Sequence, residues 1–81
     1  MICLYKLSKE FYYVEKTDDP SDSFQRHIDG MGGPTTQLYR PIMIVEITKI
    51  DTKKEFDELI TKYNIQYGYI NLIIDNNILP I

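Results

Sequence analysis

Eighty-one residues make a single domain, 1–81, because chains usually carry roughly 100–200 residues per domain, and one this short buries only about 60–65% of its unfolded surface. Twelve acidic residues against nine basic ones leave a net charge of −3, which counts against a general nucleic-acid binder with its basic stripe. A lone cysteine excludes an internal disulfide framework and a cysteine-rich zinc site, and no apolar run approaches the ~20 residues that span a bilayer.

Two strands and a tight connection open the chain. Ile2-Cys3-Leu4-Tyr5-Lys6-Leu7 is bulky and apolar, Phe11-Tyr12-Tyr13-Val14 is aromatic and β-branched, and Ser8-Lys9-Glu10 has the length of a hairpin loop. A helix follows with clear punctuation: Asp19 as N-cap, Pro20 in the first position, Asp22 in the first turn and Gly30 as the stop. Phe24, His27 and Ile28 share one face of it.

Residues 31–36 read as a flexible loop, with Pro41 closing the region. Ile42 to Ile47 is the strongest strand pattern, and its near-continuous apolarity predicts a central strand covered on both faces. Thr52 and Glu55 stand at capping-box spacing, with Asp51 a competing cap, before a helix whose stripe is Phe56, Leu59, Ile60 and Tyr63 and which ends by Gly68. Ile70 to Ile74 resumes strand character. Asp75-Asn76-Asn77 reads as a turn, and Ile78-Leu79-Pro80-Ile81 as an apolar end whose proline suits only an edge strand or coil. The order is β-β-α-β-α plus a short C-terminal strand or hairpin, a small α+β domain with a mixed or antiparallel sheet and two helices.

Four fragments in this order carry a family pattern: Phe11-Tyr12-Tyr13-Val14-Glu15-Lys16-Thr17, Phe24-Gln25-Arg26-His27-Ile28-Asp29-Gly30, Thr36-Gln37-Leu38-Tyr39-Arg40-Pro41-Ile42 and Tyr67-Gly68-Tyr69-Ile70-Asn71. Together they resemble the GIY-YIG nucleases, most closely the small single-domain members of large DNA viruses. A chain without alanine and rich in Ile, Lys, Tyr and Asn also fits an AT-rich genome of that kind. The resemblance implies metal-assisted phosphodiester hydrolysis, with a tyrosine from each motif near the attacking water. It further implies an arginine on the first helix for phosphate and a later glutamate for one divalent metal, because such chemistry needs an activated water and neutralised charge.

Matched position by position, the set is incomplete. Tyr13 stands at the second motif, but Cys3 falls where the first tyrosine belongs, with Tyr5 two residues on and on the same strand face. Glu15 replaces a glycine, adding bulk and negative charge where phosphate approaches. Ser23 takes the arginine position, with Arg26 one helical turn later, and His27 matches a recurrent family histidine. The metal glutamate maps to Glu55 or Glu58, each set among lysines as on a solvated face, and Leu72-Ile73-Ile74 replaces an Arg-Gly-Gly. Cys3 reads as a small core residue, and Gly30, Gly32 and Gly33 lack the spacing of a phosphate loop.

Neither half of the chain is basic. Residues 1–40 hold five basic and six acidic side chains and the rest four and six, so the main driving force for phosphate binding is weak. Lys6, Lys9 and Lys16 on the hairpin are the one candidate basic patch. The sequence therefore points to a catalytically degenerate GIY-YIG-like module, a protein-interaction or structural component, with a protein partner or self-association through Leu72, Ile73, Ile74, Ile78, Leu79 and Ile81. The competing expectations are a DNA-binding pseudo-nuclease and a residual Mg²⁺-dependent endonuclease using Tyr13, Tyr5, Arg26, His27 and Glu58. An N-terminus without a signal-peptide layout sets an intracellular expectation, in host cytoplasm or virion if the source is viral.

Overall fold

A computed structural model describes residues 1–75. The elements run β1 (Ile2–Leu7), β2 (Tyr12–Lys16), α1 (Pro20–Ile28), α2 (Pro34–Leu38), β3 (Pro41–Thr48), α3 (Lys53–Tyr67) and β4 (Leu72–Ile74). The four strands form one mixed sheet in the order β3-β1-β2-β4, with β1 antiparallel to both neighbours and β2 parallel to β4. This is the expected α+β class, with three helices where two were predicted. The chain's apolar end, Ile78 to Ile81, lies outside the described residues.

The hairpin closes through a short turn in which Lys9 and Glu10 take left-handed φ of 64° and 67°, an uncommon conformation for residues with a Cβ. Strand alternation then sorts the core into two layers. On one face Ile2, Leu4 and Val14 pack under Phe56, Leu59 and Tyr63 of α3. On the other face Cys3, Tyr5, Leu7 and Tyr13 pack with Phe24 of α1 and Tyr39 after α2. The expected stripe of α3 is thus its buried face.

Helix α1 begins as its sequence dictates, with the Asp22 amide donating to Asp19 Oδ1 at 3.1 Å. It ends in a Schellman motif: Gly30 N–H donates to His27 O and Met31 N–H to Arg26 O. Gly30 supports this with φ +80°, which a residue with a Cβ adopts only under strain. Thr52 caps α3, accepting from the Glu55 amide at 3.1 Å, and Glu55 Oε1 returns to the Asp51 amide and the Thr52 hydroxyl. The competition between Asp51 and Thr52 is settled in favour of Thr52.

Two expectations are overturned. Residues 31–36 are not wholly loop, since Pro34 opens the five-residue helix α2, too short to show a helical period in sequence. More consequentially, β3 is not central. Among the described strands it lies at an edge, beside β1 alone, and Ile42, Met43, Val45 and Ile47 are exposed. The central strand is β1, which is buried at five of its six residues. Both runs are equally apolar, and only the pairing decides which one gains two neighbours.

Candidate functional site

Register and alternation assemble a polar cluster on the α1 face of the sheet. Tyr5 on β1 lies directly opposite Tyr13 on β2, with ring centroids 6.2 Å apart. Glu15, two residues past Tyr13, points to the same face. His27 enters from α1 with its ring edge-on to both tyrosines, 5.1 Å from Tyr5 and 5.7 Å from Tyr13. Thr36 arrives from α2.

These side chains form a continuous hydrogen-bonded chain. The Tyr5 hydroxyl donates to Glu15 Oε1 at 2.9 Å, Glu15 Oε2 lies 2.9 Å from His27 Nε2, and His27 Nδ1 lies 2.7 Å from Thr36 Oγ1. An ionised carboxylate only accepts, so Nε2 carries the proton on that side. Nδ1 then accepts from the threonine hydroxyl in the neutral ring and donates to it in the charged one. The His27 and Glu15 side chains are only 2% and 14% exposed. Gly32 closes the cluster, because a Cβ there would meet His27 Nδ1 at 1.8 Å.

Burial, reinforced by nearby Cys3 and Glu15, pushes the Tyr5 phenol well above the ordinary tyrosine range. Tyr13 is raised by burial and then by Asp75, which its hydroxyl engages. Burial likewise raises the Cys3 thiol, against any nucleophilic role. A phenol that is to take a proton from water needs the opposite shift.

The candidate residues of the sequence divide between two places. Tyr5, Tyr13 and His27 come together with the unexpected partners Glu15 and Thr36. Arg26 does not join them as a phosphate ligand: its guanidinium pairs with Asp22 at 3.1 Å and donates to Ser23 Oγ at 3.2 Å. Ser23 itself is buried and bonded to Thr17. Glu55 and Glu58 ride on α3, across the sheet from the tyrosines, and Glu55 is occupied as part of the cap. Among the described residues no group of three or more acidic, histidine or cysteine side chains is arranged to hold a metal ion.

Next to the cluster lies a cleft of about 410 Å³ lined by Tyr13, Gly32, Gly33, Thr35, Ile73 and Asp75 among others. None of its lining residues is Lys or Arg, so nothing there would neutralise a phosphate. The hairpin lysines do not form a patch either. Lys9 sits in the turn, while Lys16 pairs opposite Ile2 at the far end of the hairpin, about 13 Å along from the Lys6–Tyr12 pair. A further depression, on the solvent face of α3 around Lys53, Asp57 and Glu58, is an open groove between long charged side chains, of which Lys53 and Asp57 pair along the helix.

The proposed interface residues Leu72, Ile73 and Ile74 are half-buried in β4, with Leu72 and Ile74 against the α3 layer and Ile73 against the tyrosine layer. Among the described residues the largest apolar row left open on a strand is on β3, where Ile42, Met43, Val45 and Ile47 are 56%, 49%, 36% and 48% exposed. Sequence reasoning missed it by reading that run as core. Glu15 had a detectable signal: it is a carboxylate on the inward face of a strand, in a chain with a single histidine to meet it. Among the described residues no helix is long and apolar enough to cross a membrane. No family model, no curated protein and no solved structure matches this chain.

Proposed function

We propose that the chain is a non-catalytic module on a GIY-YIG-like scaffold that works by binding protein. The observation that carries this reading is the Glu15 carboxylate wedged between Tyr5 and His27. It consumes the hydrogen-bonding capacity of the tyrosine and histidine that hydrolysis would use, and it sets negative charge where a phosphodiester would have to enter. The cleft wall without Lys or Arg, the paired Arg26 and the separation of Glu55 and Glu58 from the tyrosines support the same conclusion. The open apolar row on β3 supplies a surface for a protein partner. On this reading the module is a structural or adaptor piece, in a large DNA virus a component of the host cytoplasm or the virion.

Purified protein incubated with plasmid and Mg²⁺ or Mn²⁺ tests the reading. The plasmid stays intact, and Tyr13→Phe behaves as wild type. Metal-dependent cleavage that falls in Tyr13→Phe would instead establish a residual endonuclease. Duplex binding whose affinity drops steeply with salt would favour a DNA-binding pseudo-nuclease.

A further inference from the structure

We infer that the outer edge of β3 pairs with the same edge of a second copy of this chain, antiparallel about a two-fold axis, extending four strands to eight. This rests on the reading of the protein as an interaction module and names its partner.

β3 is the longest described strand, at eight residues, and no described strand lies along its outer side. Among the described residues no strand takes its outward backbone N–H and C=O groups, and four of its apolar side chains are a third to more than half exposed. Edge strands of stable monomers are usually short or carry lysine to repel such pairing. β3 carries no lysine or arginine, and its only proline is at the first position, Pro41.

The choice of partner follows from charge. The one ionisable residue of β3, Glu46, pairs opposite Leu4 on the α3 face, where the Tyr63 hydroxyl and Lys62 hold it. Tyr63 and then Lys62 keep its carboxyl below the usual range, so it stays engaged there. Within Pro41–Thr48 the edge thus presents no unpaired charge to a charged peptide or a nucleic acid. An uncharged apolar row is complementary to itself, and a two-fold axis sets the same patch of both copies face to face.

The same edge limits how far the assembly can grow. The β1 pairing slips at two points, leaving Val45 and Ile42 as extra residues in β3. Such bulges twist the edge and confine a partner to short stretches of ladder. The opposite edge, β4, is three residues long and offers little to a further copy. Association therefore closes at two copies. The row and its backbone would bury roughly 400 Å² per copy, about half of a standard interface, which places the dimer in the weak, transient class.

Sedimentation and light scattering from about 10 µM to about 1 mM read this directly. Wild-type mass should rise from monomer towards dimer across that range. Ile47→Lys and Val45→Lys, checked as folded by circular dichroism, should each raise the dissociation constant at least about tenfold. Ile65→Lys, on an 82%-exposed position of α3, should change it less than about twofold. In concentrated wild type, amide exchange should slow along residues 42–48 relative to dilute protein.

A wild type monomeric throughout the range overturns the inference. So does a dimer that survives both β3 variants, or exchange protection confined to other segments. The interaction-module reading fails on a different result, plasmid cleavage, so the two failures are distinguishable.

Discussion

The Glu15 carboxylate on β2 and the His27 ring on α1, twelve residues apart in sequence, meet at 2.9 Å. That contact ties α1 to β2, and through Thr36 and Tyr5 it also ties in α2 and β1. In a domain with so thin a core, it is a main fastening of the α1 face to the sheet.

Glu15→Ala should lower stability by about 2–3 kcal/mol, because it strands two buried polar groups, His27 Nε2 and the Tyr5 hydroxyl. Glu15→Gln keeps an acceptor and should lose about 1 kcal/mol. Urea denaturation of the three proteins checks both values. If the alanine variant matched wild type, the fastening role would be lost.

Gly32→Ala should cost about 1–3 kcal/mol, since the new methyl would overlap the His27 ring, which is held on both nitrogens and cannot swing away freely. The same melts read it. Gly32→Ala in a His27→Ala background should be nearly neutral, as the clash has then gone, and equal losses in both backgrounds would refute the contact.

Tyr5, Tyr13 and Tyr63 all have phenols raised by burial. The folded-state value lies above the unfolded one, so the neutral form is favoured by folding. That contribution is fully present below about pH 10 and is lost as pH rises beyond it, by up to about 1.4 kcal/mol per pH unit for each group. Urea midpoints should fall steeply above that point, and phenolate absorbance should show the buried tyrosines ionising only as the chain unfolds. A flat stability profile through the alkaline range would contradict the burial.

Thr52→Ala should destabilise by about 1 kcal/mol through loss of the cap of α3. Because Glu55 serves that cap, Mg²⁺ should leave the melting temperature of wild type and Glu55→Gln alike. A rise on adding Mg²⁺ that Glu55→Gln or Glu58→Gln abolishes would show a metal site on α3.

Sequence by itself determined the local elements of this protein. Asp19-Pro20, Gly30, Thr52 with Glu55, and Gly68 are start and stop signals whose physics is complete within a few residues, so α1 and α3 stand where they were expected. The hairpin and the inward faces of β1 and β2 follow from alternation in the same way, bringing Tyr5 and Tyr13 to one face. Tertiary structure alone decided the rest. Which of two equally apolar strands is central depends on who pairs with whom, so β3 took the edge and β1 the middle. That Glu15 meets His27, with Gly32 and Thr36 closing around them, depends on how α1 and α2 cross the sheet, and no spacing in the chain encodes a contact made in three dimensions.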